Sequence, residues 1–224
     1  MKKIINHFEY DIIEVTDSFV RGFLDIETTD TIYRSIHKEV ENSEPEVGLI
    51  GSENDLDKDE LDDDMRQSEI HWLQKSKKAK AYAHQLVNEI NDQYFDLELE
   101  KQQPPDIQYT LYRNLDDHYD WHQDHYDDES SDGFTRILSL SICLSPSDFY
   151  QGAEFFIKDG SERNVRVFKM HYGEFIIFPS EAEHKVNALR EGERESLVIW
   201  YGYHNKLKRP PLISAKRMTN KLTF

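Results

Sequence analysis

Hydrophobic and polar positions along this chain change their period near Pro104-Pro105. Before that point the spacing is helical. Between Thr29 and Val40, the residues Ile32, Ile36 and Val40 recur every fourth position and share one face of an amphipathic helix, with Thr29 or Asp30 as the expected cap. A second helix is predicted from Ser76 to Phe95, where Ala79, Ala83, Leu86, Ile90 and Tyr94 mark one face. Residues 46 to 65, rich in Gly and Asp, read as a loop. After the prolines the pattern breaks into short apolar runs separated by Gly, Asp and Ser. Eight strands are predicted near 107–114, 118–124, 135–144, 153–157, 163–168, 173–178, 184–190 and 194–203.

That order predicts a mainly β chain with N-terminal helices flanking a double-stranded β-helix, the jelly-roll or cupin-like arrangement. A length of 224 residues predicts one domain. Within it, 1–105 reads as helical support with an acidic loop, 106–204 as the jelly-roll core and 205–224 as a basic tail. In 135–144, Leu138, Leu140, Ile142 and Leu144 share one face, whereas Ser139, Ser141 and Cys143 share the other. The large residues are expected under the helices, and the small ones either leave a cavity or form an ordinary wet face.

Charge narrows the function. A net charge of −17 argues against sequence-independent binding to nucleic acid, which depends on neutralising phosphates. Residues 53–64 hold eight acids and one lysine, and 114–135 hold eight acids with no lysine or arginine. From His204 onward there are six basic residues and no acid. The tail is expected to fold against the acidic rim, the alternative being a partner-binding tail. No apolar run approaches the length of a membrane span, and the start lacks the apolar core of a secretory signal. A single cysteine fits a reducing compartment, so a cytoplasmic location is expected.

The candidate chemistry lies in the second half. His122-Gln123-Asp124 places an imidazole and a carboxylate two residues apart, on one face if the strand is extended. With His184 from a distant strand they make a two-His-one-carboxylate set, the arrangement that holds Fe(II) on one face and leaves positions open. Arg194 opens the β run Ser196-Leu197-Val198-Ile199-Trp200-Tyr201, where a guanidinium can clamp a carboxylate by two parallel hydrogen bonds. His118, Asp120 and His125 crowd the same segment, each either a rival ligand or merely a solvated loop residue. Trp200, Val198 and Val186 share strand parity with Arg194 or His184, as pocket wall or ordinary core. Asp55–Asp59 resembles a calcium loop, but Glu60 and Arg66 stand where glycine and a bidentate glutamate belong. Cys143, mid-strand with no basic neighbour in sequence, reads as a small buried residue.

Tyr109-Thr110-Leu111-Tyr112-Arg113, Tyr119–Asp124, Arg136–Ser141 and the stretch from His184 to Trp200 together resemble the prolyl-4-hydroxylase-like branch of the Fe(II)/2-oxoglutarate dioxygenases, the PKHD-type hydroxylases. The likeness runs from about Tyr109 to Tyr203, with a weaker extension upstream in Arg66–Ile70 and Ile90-Asn91. It implies iron on His122, Asp124 and His184, and the far carboxylate of 2-oxoglutarate on Arg194. Tyr112, Ser196 and Trp200 then belong to the co-substrate pocket. It also implies O2 as oxidant, ascorbate as a candidate reductant, release of succinate and CO2, and hydroxylation of a C–H bond in a prolyl or other peptidyl residue. A basic peptide or protein would suit the acidic segments. A free amino acid or small molecule is the alternative substrate, and a non-catalytic jelly roll that binds a ligand is the rival class. Two positions depart from the pattern: Gly152-Ala153 replaces a Gly-Gly pair, and Cys143 stands where some relatives place a second tyrosine on the co-substrate.

Overall fold

The computed structural model describes residues 2–5, 8–47, 65–102, 104, 107–125, 133–160 and 164–204. The acidic segment 53–64, the calcium-loop decoy within it, Asp127–Asp132 and the basic tail lie outside them. In chain order the elements begin with β1 (Lys2–Ile5), β2 (Phe8–Val15) and β3 (Val20–Leu24), followed by α1 (Ile26–Val40). Next come β4 (Glu46–Val47), β5 (Arg66–Gln67), β6 (Glu69–Leu73) and α2 (Lys77–Ile90), the last running into a wide helical turn at Asn91–Phe95. The second half contributes β7 (Ile107–Tyr112), β8 (His118–His122), β9 (Phe134–Cys143), β10 (Tyr150–Gly152) and β11 (Phe155–Asp159). It ends with β12 (Asn164–Phe168), β13 (Glu174–Pro179), β14 (His184–Val186), β15 (Leu189–Gly192) and β16 (Arg194–His204).

Three layers result. A large sheet runs β1-β2-β3-β13-β9-β16-β7-β6-β4 and a smaller one β12-β11-β14-β8-β5, with β10 and β15 paired separately. One face of the large sheet carries Leu138, Leu140, Ile142, Leu197 and Ile199 against Ile32 and Ile36 of α1 and Leu86, Val87 and Ile90 of α2. Its other face carries Tyr112, Cys143, Ile176 and Phe178 against Phe155, Ile157, Phe168 and Val186 of the small sheet. The alternation in β9 therefore separates a helix-facing row of large side chains from a buried row of small ones, Ser139, Ser141 and Cys143, on the opposite face. This is the jelly-roll arrangement, with its strands paired antiparallel.

The N-terminal region differs from the helical support expected of it. It donates β2 and β3, which extend the large sheet through the β3–β13 pairing, and β6, which pairs with β7. The cap of α1 is Asp25 rather than Thr29 or Asp30. Its Oδ1 accepts from the Thr28 backbone N–H at 2.9 Å and its Oδ2 from the Thr28 hydroxyl at 2.6 Å and the Glu9 N–H at 2.9 Å. One carboxylate thus starts the helix and ties it to β2. Burial opposes its charge, but these hydrogen bonds outweigh that and hold the carboxyl below its usual range. Asp25→Ala is expected to cost about 1–2 kcal/mol, read as a lowered melting temperature with the site chemistry unaffected. The expected 184–190 strand splits, because β14 belongs to the small sheet while β15 turns to pair with β10.

Candidate metal centre and carboxylate pocket

His122 and His184 meet because β8 and β14 are neighbours in register, with His184 directly opposite His122. Each ring is oriented from behind. His122 Nδ1 lies 2.7 Å from the Asp120 carbonyl and His184 Nδ1 lies 2.9 Å from the Ala182 carbonyl, so each Nδ1 carries the proton and each Nε2 is left with its lone pair. Burial and the neighbouring His184 push His122 down to about 3, so the ring is neutral at neutral pH. Tyr119 stacks on it at 3.4 Å between ring centroids and 9° between planes.

Asp124 is not within the strand, as the i, i+2 reading assumed, but in the bend just after it. The Ser180 carbonyl accepts from the backbone N–H groups of both Asp124 and His125 at 2.9 Å. Ser180 in turn is tied to β9, its N–H donating to Ile137 O and its hydroxyl meeting that of Ser139 at 2.9 Å. The bend therefore delivers the carboxylate that a straight strand was expected to deliver. Asp124 Oδ1 lies 3.8 Å from His122 Nε2 and Oδ2 lies 3.6 Å from His184 Nε2. Burial works against its charge, yet His184, His122, Ser139 and Trp200 around it hold the carboxyl below its usual range.

Among the described residues, His122, Asp124 and His184 are the one group of three or more metal-ligating side chains, with ligand atoms within 4.8 Å of one another. Asp124 is 5% exposed and its Oδ2 has no hydrogen-bond partner. A buried carboxylate oxygen left without a donor, facing two imidazole lone pairs, is a set of three acceptors that a cation would complete. His118, Asp120 and His125 take no part: His118 Nδ1 faces the Asp116 carbonyl, Asp120 accepts from the Trp121 N–H, and His125 Nδ1 faces the Arg136 carbonyl.

Arg194 lies on the inner face of the large sheet, paired with Tyr112 of β7. It is 1% exposed, and no carboxylate pairs with it among the described residues. Its Nη1 reaches the Ser196 hydroxyl at 3.4 Å and its Nη2 the Met170 sulfur at 3.7 Å, while Nε has no partner. A buried cation with such weak acceptors awaits an anion. Tyr112 sits under it, ring centroid 5.6 Å from the guanidinium carbon. Ser196 stands opposite Cys143, which is fully buried with its thiol pushed up by burial and therefore not a thiolate nucleophile. Trp200 belongs at the other end, beside Asp124, with Arg136 stacked on its ring at 3.8 Å.

Two groups had no assigned role in the sequence reading. Arg66 is buried, donates from Nε to the Ser68 hydroxyl at 2.8 Å, stacks on Tyr119 at 4.6 Å, and leaves Nη2 unpartnered. Tyr150 is buried next to Arg194. Neither lies in a local pattern that singles it out, although Arg66 falls in the upstream stretch of weaker likeness.

Residues 107–202, which hold this entire set except Arg66, match the family model described as the 2OG-Fe(II) oxygenase superfamily. That match covers under half of the chain and is a likeness over the part that carries the site. Its curated relatives include PKHD-type hydroxylases. One from Prochlorococcus marinus (strain AS9601) is 41% identical over 63 residues, 28% of each chain. One from Shewanella oneidensis is 32% identical over 85 residues, 38% of this chain and 37% of that one. The chain thus spans well under half the length of these relatives. Among solved structures, a Pseudomonas putida prolyl-4-hydroxylase superposes with a TM-score of 0.62 at 18% identity, covering 84% of this chain and 93% of that one. A Trichoplax adhaerens prolyl hydroxylase, in complex with a hypoxia inducible factor oxygen degradation domain peptide fragment, gives 0.62 at 17% identity, covering 85% and 86%. At those identities the likeness is one of fold. The superfamily implies Fe(II), 2-oxoglutarate and O2 as cofactor and co-substrates, and the His122, Asp124 and His184 trio suits the first of them. No helix among the described residues is long and apolar enough to cross a membrane.

Proposed function

We propose that this protein is a 2OG-Fe(II) oxygenase that uses O2 to hydroxylate a C–H bond of a prolyl or other peptidyl residue, converting 2-oxoglutarate to succinate and CO2. The observation that carries the reading is the convergence of His122, Asp124 and His184 on one point, together with a buried Arg194 that has no carboxylate partner among the described residues. The first three residues would hold Fe(II), which supplies the O2 chemistry when bound. Arg194 would take the far carboxylate of 2-oxoglutarate, with Tyr112 and Ser196 flanking it, and so orient the keto-acid end toward the trio. Trp200 and Arg136 would wall the substrate side of Asp124. The buried rings of Phe155 and Phe178 pack on His184 at 5.7 and 4.6 Å and keep water from that side of the site.

A peptidyl substrate is supported by the peptide complex of the Trichoplax prolyl hydroxylase. Incubating proline-containing peptides with protein, Fe(II), 2-oxoglutarate and O2 should produce a gain of one oxygen by mass spectrometry. Uncoupled 2-oxoglutarate consumption with no modified peptide would contradict this substrate class. One observation favours the alternative of a free amino acid or other small acid. Arg66, a second buried guanidinium with an unpartnered Nη2, sits beside the His122 ring through Tyr119. The same assay with small carboxylic acids distinguishes the two.

The net charge of −17 makes cationic peptides the better substrates at low salt, because a field of one sign raises their local concentration until salt screens it. Replacing Asp127, Asp128 and Glu129 together by Asn, Asn and Gln is expected to raise KM for a basic peptide and leave peptide-free turnover unchanged. Equal KM values for acidic and basic peptides at low salt would assign these charges to solubility.

A further inference from the structure

We propose that Tyr150 is a co-substrate-binding residue, its hydroxyl donating to the far carboxylate of 2-oxoglutarate beside Arg194. The inference rests on the reading above and adds a residue to it. The Arg194 guanidinium meets the Ser196 hydroxyl, the Met170 sulfur and the Tyr150 phenol but no anion among the described residues, and an incoming carboxylate has more lone pairs than one guanidinium fork satisfies. Cys143, opposite Ser196, contributes a thiol, which is a poor donor. The hydroxyl that reaches this spot comes from another strand. Tyr150 Oη donates to the Met170 carbonyl at 2.5 Å, and that carbonyl also lies 3.8 Å from Cys143 Sγ. The phenol borders both the thiol and the guanidinium.

The placement is set by backbone. Tyr150 pairs across β10–β15 with Gly192, two residues before Arg194. Gly192 has φ +78°, and a Cβ there would meet the Phe149 carbonyl oxygen at 1.9 Å. The two strands approach closely only because that position is glycine, and this brings Tyr150 and Arg194 side by side. Burial pushes the phenol up, so it stays protonated and able to donate. When the carboxylate arrives, the Tyr150 proton turns from the Met170 carbonyl to the ligand oxygen.

The test is calorimetric titration of the full chain loaded with Mn(II), using 2-oxoglutarate and 2-oxopentanoate, the same chain ended by a methyl group. Tyr150→Phe keeps the ring and removes the hydroxyl. It is expected to weaken 2-oxoglutarate binding by between about tenfold and a hundredfold, as for a hydrogen bond to a charged group, and to leave 2-oxopentanoate binding unchanged. Unchanged 2-oxoglutarate affinity, or equal weakening of both ligands, overturns the proposal and leaves Tyr150 a packing residue. A wild-type protein that binds Mn(II) but not 2-oxoglutarate overturns the functional reading itself, and this inference with it.

Discussion

Asp124→Ala is expected to leave a folded protein that no longer holds Fe(II) or turns over 2-oxoglutarate. Asp124 contributes the one negative charge of the trio. Replacing residues that merely support a metal ligand typically costs about 10–100-fold in affinity, so losing the ligand itself should exceed about a hundredfold. The fold should survive, because the bend that presents Asp124 is held by backbone hydrogen bonds to Ser180 that an alanine keeps. The metal-free variant should melt no lower than wild type, since a buried carboxylate oxygen without a donor is a cost to the apo protein. Thermal melts with and without added metal check both halves. Wild type rises with metal by linkage, and the variant does not. Full activity in Asp124→Ala would mean that another group had taken the position, against the observation that His118 and Asp120 are bound elsewhere.

The second large effect belongs to Arg194. Truncating one partner of a buried, hydrogen-bonded charge pair costs about 2–5 kcal/mol, so Arg194→Ala should weaken 2-oxoglutarate binding by roughly 30-fold to several thousandfold. The loss should fall mainly on the apparent KM for 2-oxoglutarate, because the contact is made equally before and during reaction. Arg194→Lys should be milder yet clearly impaired. Lysine keeps the charge but lacks the planar fork, and it loses the stacking over Tyr112. An unchanged KM in Arg194→Ala would remove this role and leave the buried guanidinium without an explanation.

How far the chain could be read in advance follows from which contacts are local. The β9 alternation was plain because ten residues run without interruption, large on the helix side and small on the inner side. The residues of the trio and Arg194 were found by their type and order along the chain, and strand pairing then brought them together. The strands before α2 were hidden for a physical reason. In β2 a register shift between Ile12 and Glu14 breaks the period, and β3 gains its place in the large sheet from β13, some 150 residues away. The Asp25 cap has a local partner in Thr28, but the four-residue apolar period begins only at Ile32 and so places the helix start too late. Asp124 was assigned to the right group by the wrong geometry: a two-residue spacing suggested a strand face, whereas Ser180 bends the chain to the same end. Tyr150 and Arg66 reach the site only through pairing with Gly192 and Tyr119, which no local pattern announces.

The most direct test of the central claim is succinate formation from 2-oxoglutarate by the purified chain in the presence of Fe(II) and O2, with no other substrate. The account predicts slow turnover that needs both Fe(II) and O2 and vanishes in Asp124→Ala. A protein that binds Fe(II) and 2-oxoglutarate through these residues yet forms no succinate, with or without peptides, would contradict it and make this jelly roll a ligand-binding protein.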